Sequence, residues 1–450
     1  MSTLDTEIRC TATPPRSKAI SLKAQALRGS LWTLLGYGTS QVLRLASNLV
    51  LARLLFPKAF GLMAIVNVVI QGLQMFSDVG IGPSIIRGQR GEDPRFVNTA
   101  WTVQVIRGFA LWTCCCVLAW PVAVFYSEPQ LVWMLPIAGL TAISGGFRST
   151  SLIILNRNMA VGRLQIYELM GQGFSVLAMV GFAWWFPSVW ALVLANVVTS
   201  GARSVLSHTV HAGPANRLCW DPSAVRELYS FGRWIFFSTV LTFLCGQMDR
   251  LILGHFASIA QLGVYTTALM LSQAPVQVIQ AISTKVLFPL YTRLLDRKHD
   301  ELCCQIAKIR IALMVVSLPA LCVLAAWGQR IVSLMYDARY HGAGWIVQVL
   351  SMGAIATVIA TTMSPVLLAT GDSFRFMVVL GTRTGVTLAA MAVGGAMAGT
   401  AGIVAGVAAS SILAYPAFAW AAHKHGVWMP GIDSAAFATS LLIIMGLWVL

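Results

Sequence analysis

The chain contains a succession of apolar runs of roughly 20 residues, the length that an α-helix needs to cross the hydrocarbon core of a bilayer. Charged residues make up only 10% of the sequence, against about 25% in soluble domains. Lipid offers no partners to backbone polar groups, so such runs fold as helices. We therefore expect an all-α polytopic membrane protein with thirteen runs, which begin near Leu31, Ala59, Phe96, Leu131, Ile166, Val189, Phe231, Gly263, Ile306, Gly344, Phe374, Gly399 and Ser434.

Basic residues are distributed unequally among the connections between these runs. The segment before Leu31 is basic and has no apolar stretch, which argues against a cleaved signal peptide. Most of the 31 Lys and Arg fall on the side of this N-terminal segment, and only three fall on the opposite side, namely Lys58, Arg330 and Arg339. Lys and Arg accumulate in cytoplasmic connections, so we expect a cytoplasmic N-terminus and no nucleic-acid partner.

One polar stripe occurs twice along the chain. Asn67, Gln71, Gln74, Asp78 and Pro83 reappear, each displaced by 206 residues, as Gln273, Gln277, Gln280, Thr284 and Pro289. Steps of four, three and four residues keep the polar positions on one helix face. Lipid would reject that face, so the pattern predicts two stripes that meet in a shared cavity, as in secondary transporters built from repeats.

The repeat also predicts how the chain is divided. An offset of six spans returns the second copy to the same side of the membrane, so the halves should be parallel and related by a pseudo-two-fold axis along the membrane normal. We expect a basic cytoplasmic tail at residues 1–24, six-helix bundles at 25–215 and 216–425, and an additional transmembrane segment at 426–450.

Ionisable side chains within the apolar runs are candidates for function, because each costs about 2.5–3.5 kcal/mol at the centre of a bilayer. Fixed positive charge beside amide groups suits an anionic cargo with phosphate oxygens and sugar hydroxyls. We expect Arg53, Arg148 and Arg203, near the ends of spans, to anchor the chain at the membrane interface. The predicted cavity residues are Arg44, Arg107, Arg250, Lys285, Arg383, Gln41, Asn48, Gln71, Gln74, Gln277 and Gln280.

Two acidic residues, Asp78 and Asp249, are also placed near or within the spans. Each either binds a coupling proton or sodium ion or neutralises a neighbouring arginine, and neutralisation is favoured. The nine cysteines lack metal-ligand spacing with histidines, and the sequence has neither a phosphate-binding Walker loop nor a nucleophile elbow. We expect no enzymatic activity, no metal and no cofactor.

Several motifs occur in the order in which one known family carries them. They are Leu51–Pro57, Phe60–Leu62, Phe76–Gly82, Asp249–Gly254, Leu262–Tyr265, Val286–Tyr291 and Ala369–Gly371. In these motifs the chain resembles polysaccharide-exporting flippases of the Wzx type, which belong to the multidrug/oligosaccharidyl-lipid/polysaccharide superfamily. The resemblance extends from about Arg28 to His423.

The resemblance implies a MATE-like fold of two six-helix bundles around a cavity that opens alternately to each face of the bacterial inner membrane. The implied substrate is a polyprenyl-diphosphate-linked oligosaccharide, turned to the outer leaflet for exopolysaccharide, capsule or O-antigen. Proton or sodium coupling and contact with a polymerase or export machinery are further expectations. The alternatives are an ion-coupled multidrug exporter of the MATE type, a membrane glycosyltransferase, polymerase or ligase, and a scaffold that transports nothing.

Overall fold

The structure is a computed structural model, which describes residues 22–78, 80–87, 90–158, 160–210, 213, 215–283, 299–363 and 372–449. Apart from one 3₁₀ turn at Ala338–Tyr340, every regular element in these ranges is an α-helix. Each of the thirteen apolar runs overlaps a helix, so the all-α fold is confirmed. The helices are α1 (Leu22–Leu54), α2 (Pro57–Phe76), α3 (Ile81–Arg87), α4 (Pro94–Phe125), α5 (Leu131–Gly146), α6 (Ser151–Arg157), α7 (Val161–Trp185), α8 (Val189–Thr209), α9 (Pro222–Phe256), α10 (Ile259–Ile282), α11 (His299–Met335), α12 (Ala343–Thr361), α13 (Ser373–Leu413), α14 (Tyr415–Lys424) and α15 (Pro430–Val449).

Within the described residues, eight helical stretches are long and apolar enough to cross a membrane, or nine if the bent pair α5–α6 is one span. One of the eight, the stretch Phe374–Lys424, is broken at Ala398 and Gly399. The eight stretches do not include helices α1, α9 and α10, although these three helices coincide with predicted apolar runs. Each of these three helices carries polar side chains that face the internal cavity described below.

Local sequence signals set where several helices begin. Asp93 and Asp221 each precede a proline at the first helical position, and their carboxylates accept hydrogen bonds from backbone N–H groups of the first turn. Ser258 and Gln261 form a reciprocal capping box at the start of α10. These caps satisfy N–H groups that have no partner inside the helix.

Helix α13 reverses direction near its centre and forms two antiparallel arms. Gly399 adopts a left-handed backbone conformation with φ 58°, which glycine tolerates because it has no Cβ. A Cβ added at Gly394 would lie only 2.1 Å from the carbonyl oxygen of Gly402. The arms therefore touch through their backbones, and the two predicted runs that begin near Phe374 and Gly399 form one helical hairpin.

The helices pack as two bundles with matching neighbours. In the first bundle (α1–α8), α1 packs on α7, α7 on α8, α8 on α5 and α5 on α4. In the second bundle (α9–α14), α9 packs on α13, α13 on α12 and α12 on α11. The bundles meet through α2 and α10, with α1 against α10 and α2 against α9 at the sides. The contact of α1 with α10 is equivalent to that of α9 with α2, as a pseudo-two-fold axis between the bundles requires.

The crossing of α2 and α10 is reciprocal at the level of single residues. A Cβ added at Gly61 would lie 1.9 Å from the carbonyl oxygen of Ile259, and one added at Gly263 would lie 1.8 Å from that of Pro57. These two contacts make Gly61 structurally equivalent to Gly263 and Pro57 equivalent to Ile259, and the residues of each pair are 202 positions apart. The predicted offset of 206 was therefore wrong by about one helical turn within these helices. At an offset of 202, Asn67 and Gln74 of the first stripe correspond to the apolar Leu269 and Val276.

The bundles are sealed against each other where α1 ends and α2 and α10 begin, and we call this region the closed end. The Tyr340 hydroxyl donates to the Leu55 carbonyl oxygen at 3.1 Å, and the Asn48 amide donates to the Tyr336 hydroxyl at 3.3 Å. A continuous buried core that contains Leu55, Leu62, Tyr265 and Tyr340 surrounds these bonds. Side chains from both halves therefore close this end.

Helix α15 is fastened to the second bundle by a buried ion pair. Arg310 of α11 donates to Asp433 of α15 at 2.5 Å, and their side chains are 1% and 2% exposed. Arg310 also donates to Thr362, and Asp433 accepts from the Tyr415 hydroxyl. The two charges thus neutralise each other away from water, as buried ions require.

Candidate functional site

A cavity of about 990 Å³ lies inside the first bundle and reaches the second. Residues of α1, α2, α5, α7 and α8 form most of its wall, and α9 and α10 complete it. Leu51, Phe60 and Met63 line the part next to the closed end, while Gln74 and Arg203 lie towards the opposite end of their helices. The cavity therefore extends along the bundle axis.

The electrostatic character of this cavity is cationic. Its described lining includes four arginines, Arg44, Arg148, Arg203 and Arg250, and none of these described lining residues is acidic. Inside a bundle surrounded by lipid, such charges are poorly screened. Arginine also offers paired donors that match the oxygens of carboxylates and phosphates. The cavity is suited to hold an anion.

Amide side chains line the remaining polar surface and connect the two bundles. Gln247 of α9 donates to the Gln71 side chain of α2 at 2.9 Å, and Arg250 donates to Gln247. An amide group is both donor and acceptor without net charge, so this surface can bind hydroxyl-rich molecules. The lining amide residues are Asn48, Asn67, Gln71, Gln74, Gln172, Asn196 and Gln247.

The structure brings together only some of the predicted site residues. The cavity lining includes Arg44, Asn48, Gln71, Gln74 and Arg250. Lys285, Thr284 and Pro289 lie outside the described residues, as does the basic tail up to residue 21. The described residues that were predicted as cavity residues but do not line this cavity are Gln41, Arg107, Gln277, Gln280 and Arg383.

The shared cavity predicted from the two stripes is therefore lined mainly by the first copy. The corrected repeat offset explains why the second copy contributes little, because the residues equivalent to Asn67 and Gln74 are apolar. Gln273 is equivalent to Gln71 at the corrected offset, yet it does not line the cavity either. Gln277 and Gln280 are not among the described residues that line this cavity, and their role in binding stays a prediction.

Arg107 has partners at the end of α2 instead of facing the cavity. Its guanidinium donates to Ser77 Oγ at 2.9 Å and to the Gln74 carbonyl oxygen at 2.5 Å, and it lies 3.8 Å from the Asp78 carboxylate. Carbonyl groups at a helix C-terminus carry partial negative charge and attract cations. Asp78 also accepts from the backbone N–H of Gly80 at 2.9 Å. This geometry agrees with the favoured role of Asp78 as a neutralising group.

Asp249 is held inside the second bundle. The hydroxyl of Tyr265, which is buried, donates to the Asp249 carboxylate at 2.6 Å. Asp249 neighbours the cavity residue Arg250 along α9 but does not line the cavity itself. A coupling role for Asp78 or Asp249 stays a prediction.

Two cavity arginines were not anticipated from the sequence. Arg148 and Arg203, expected at the membrane interface, both line the cavity. The chain bends by 58° between α5 and α6, which places Arg148 at a break instead of at a span end. Ser149 holds this break, because its backbone N–H donates to Ser207 Oγ at 2.8 Å and its hydroxyl donates to Asn216 Oδ1 at 2.7 Å. The small polar run at residues 149–151 was the available signal for a break.

An ion-pair cluster joins the start of α4 to the start of α9. Arg90 donates to the carboxylates of Asp93 at 3.1 Å and Asp221 at 2.9 Å. The Arg90 hydrogen bond, followed by those from Ser223, lowers the pKa of Asp221 from its ordinary value of 3.8 to about 2. This cluster lies at the end of the bundles remote from the closed end, and it connects the first bundle to the segment that leads into the second.

Fold and cavity together define a two-bundle polytopic membrane protein with a cationic interior. A family model described as a polysaccharide biosynthesis protein matches residues 50–344, which is more than half of the chain. The chain belongs to this family, and the resemblance seen in its motifs is confirmed.

Curated relatives extend the match. The chain is 22% identical over 399 residues to the lipopolysaccharide biosynthesis protein WzxC of Escherichia coli (strain K12), covering 86% of this chain and 78% of that protein. It is 23% identical over 308 residues to the teichuronic acid biosynthesis protein TuaB of Bacillus subtilis (strain 168), covering 66% of this chain and 62% of TuaB. With the succinoglycan biosynthesis transport protein ExoT of Rhizobium meliloti (strain 1021) it shares 25% identity over 303 residues, covering 64% of this chain and 59% of ExoT. The chain thus spans about three fifths of the length of TuaB and ExoT.

Solved structures identify the fold. The lipid II flippase MurJ in an inward closed conformation superposes with a TM-score of 0.77 at 11% identity, covering 93% of this chain and 92% of MurJ. An inward-facing multidrug resistance MATE family transporter of the MOP superfamily gives 0.63 at 12% identity, covering 89% of this chain and 96% of the transporter. At these identities the likeness concerns the fold alone, and the predicted MATE-like fold is confirmed.

Proposed function

We propose that this protein is a flippase that moves a polyprenyl-diphosphate-linked oligosaccharide from the cytoplasmic to the outer leaflet of the bacterial inner membrane. The observation that carries the proposal is the cavity wall with four arginines and, among its described residues, no carboxylate. The names of WzxC, TuaB and ExoT place those relatives in the biosynthesis or transport of surface polysaccharides. The product would supply exopolysaccharide, capsule or O-antigen.

The size and chemistry of the cavity support a large polar headgroup. Its volume of about 990 Å³ is at the upper end of the roughly 300–1,000 Å³ range of small-molecule sites. The arginines would neutralise the diphosphate, and the amide groups would bind sugar hydroxyls. In this proposal the polyprenyl tail stays in the bilayer, so that only the headgroup loses its contact with water.

Rocking of the two halves would carry the headgroup across the membrane. We propose residues 25–215 and 216–425 as the moving bodies, with the segment after residue 425 travelling with the second body through the Arg310–Asp433 pair. Basic connections support a cytoplasmic N-terminus, which would make the closed end the outer one. In that orientation the part of the cavity near Gln74 and Arg203 lies towards the cytoplasmic side.

We propose no catalytic activity for this chain, because turning a lipid over breaks no covalent bond. No cofactor is required for the same reason. Asp249 and Asp78 are the candidates for proton or sodium coupling, and a polysaccharide polymerase or export machinery is the proposed recipient of the product. Surrounding membrane lipids contact the apolar outer surface.

Depletion of the protein in cells tests the function. The expected result is accumulation of the lipid-linked oligosaccharide in the cytoplasmic leaflet, detected by leaflet-selective labelling, with loss of surface polymer. Re-expression of wild type should restore export, whereas Arg44→Ala should not, and Arg53→Ala serves as a matched control because Arg53 is exposed at the end of α1. Normal delivery to the outer leaflet during depletion would refute the proposal.

An ion-coupled multidrug exporter of the MATE type is the second candidate, because MATE transporters share the fold. Cationic drugs would meet the repulsion of four arginines in the cavity, which disfavours this alternative. Drug-resistance profiles of cells with and without the protein separate the two functions. Increased sensitivity to cationic compounds after depletion, with surface polymer unchanged, would favour drug export.

A further inference from the structure

We infer that Arg250, Gln247 and Gln71 form one hydrogen-bonded relay that binds a phosphate group of the substrate where the two bundles meet. Arg250 and Gln71 contact the phosphate, and Gln247 is a positioning residue between them. The phosphate belongs to the lipid-linked substrate, so the inference rests on the proposed function. The other amides of the cavity wall remain available for sugar hydroxyls.

The relay crosses from α9 to α2 with a fixed direction. Arg250 Nη1 donates to Gln247 Oε1, and Gln247 Nε2 donates to Gln71 Oε1 at 2.9 Å. Arginine has five donors and no acceptor, so the atom of Gln247 that faces Arg250 must be its oxygen. The nitrogen of Gln247 then faces Gln71, which must accept with its own oxygen. The relay therefore ends in the Nε2 donor of Gln71.

The remaining donors of the relay can be reached from the cavity, which all three side chains line. Gln71 is exposed, and its Nε2 lies 3.9 Å from the thioether of Met75, a weak acceptor. Among the described residues, only Nη1 of Arg250 donates a hydrogen bond, and none of the Arg250 nitrogens is both buried and unpaired. The neighbouring Asp249 accepts from Tyr265 and does not line the cavity.

The relay favours a ligand that has acceptors and no donors. Both amide oxygens already accept within the relay, so a ligand meets Nε2 of Gln71 and the remaining N–H groups of Arg250. An ionised phosphate accepts from both, and its hydrogen bonds to charged donors are roughly twice as strong as neutral ones. A sugar hydroxyl also has a donor, which would compete for amide oxygens that are already occupied. The relay therefore selects phosphate over hydroxyl.

The contact between α2 and α9 makes the relay cooperative across the bundles. A Cβ added at Gly72 would lie 3.0 Å from the ring of Phe243, and the Phe76 ring meets that ring edge-on at 5.0 Å between centroids. These contacts hold the helices together beside Gln71. A cation that donates to an amide oxygen polarises the amide and strengthens its N–H donors. The donor of the first bundle thus gains strength from the charge of Arg250 in the second.

Binding of radiolabelled farnesyl diphosphate to the purified full-length protein in detergent tests the relay. Farnesol, which has the same tail and no charge, is the control ligand. We expect Gln71→Leu and Arg250→Met each to weaken diphosphate binding by at least about tenfold, because each removes a charge-assisted hydrogen bond. Gln247→Leu should weaken it several-fold, since Gln71 then loses its orientation. Farnesol binding should not change in these variants.

A double-mutant cycle separates a relay from independent contacts. In the Arg250→Met background, Gln71→Leu should weaken binding by less than about twofold, because its amide is no longer oriented. In the Arg250→Lys background, which keeps a cation, the full effect of Gln71→Leu should persist. Gln172 lines the cavity from α7 and is the matched control, since Gln172→Leu should have the same effect with and without Arg250→Met.

The possible outcomes distinguish the relay from the proposed function. If Gln71→Leu weakens binding equally in the wild-type and Arg250→Met backgrounds, the relay is overturned and the proposed function stands. Weakening of farnesol binding by the same factor would also overturn it, because the variants would then disturb the cavity as a whole. If wild type binds the diphosphate no more tightly than farnesol, the relay is wrong, and the depletion experiment decides whether the proposed function fails with it.

Discussion

Alanine at Gly61 should weaken the closed end. The added Cβ would lie 1.9 Å from the Ile259 carbonyl oxygen, so α2 and α10 must separate by about 1.5 Å to restore ordinary van der Waals distances of about 3.5 Å. Overpacking of this kind costs about 1–3 kcal/mol, which corresponds to a shift of about 5–150-fold in the ratio of closed to open forms. Gly263→Ala should act in the same direction, since its Cβ would meet the Pro57 carbonyl oxygen.

The opening can be measured by cysteine labelling. Met63 lines the cavity next to the closed end and is 7% exposed, so a cysteine placed there in a cysteine-free background is protected from a membrane-impermeant maleimide. We expect Gly61→Ala to raise the labelling rate from the closed side. Gly181→Ala is the matched control, because its Cβ position has open space among the described residues. Equal labelling rates in the Gly61→Ala and Gly181→Ala variants would refute the reasoning.

Two further predictions concern the ion pairs that hold helices together. Arg310→Met leaves Asp433 buried without its cation, so the free energy of unfolding should fall by about 3–5 kcal/mol, measured as a lower Tm in detergent. The double variant Arg310→Met, Asp433→Leu should recover most of this loss, and a double variant as unstable as the single one would contradict the prediction. Arg90 holds the pKa of Asp221 at about 2, so the pair stabilises the contact of α4 with α9 at neutral pH and stops doing so as the pH falls through that value. Asp221→Asn should therefore speed tryptic cleavage at Arg217 at neutral pH, and cleavage no faster than in wild type would argue against this contact.

The sequence was sufficient to predict the fold because hydropathy acts on whole segments. Every apolar run coincides with a helix, and two of these helices, α2 and α10, cross where Gly61 and Gly263 each meet the backbone of the other helix. Polar stripes gave the wrong offset because they were aligned by residue type, whereas the true equivalence is set by backbone contact at Gly61 and Gly263. Helical periodicity alone does not distinguish offsets that differ by about one turn.

The site was only partly predictable, because the cavity depends on how helices bend and which neighbours compete for each side chain. Arg44 and Arg250 were found since they lie within spans. Arg107 was expected in the cavity, but the end of α2 offers it nearer partners. Arg148 and Arg203 were missed, since the bend between α5 and α6 and the contact of Arg203 with Gly171 arise only from tertiary packing.

The most direct test of the central claim is flipping by the purified protein in liposomes. A fluorescent polyprenyl-diphosphate-linked oligosaccharide is incorporated into both leaflets, and a membrane-impermeant quencher then reports how much of it reaches the outer leaflet with time. We predict that liposomes with the protein expose nearly all of the lipid, and that those with Arg148→Gln or Arg44→Ala expose only the initial outer-leaflet fraction. Equal exposure in liposomes with and without the wild-type protein would contradict the account.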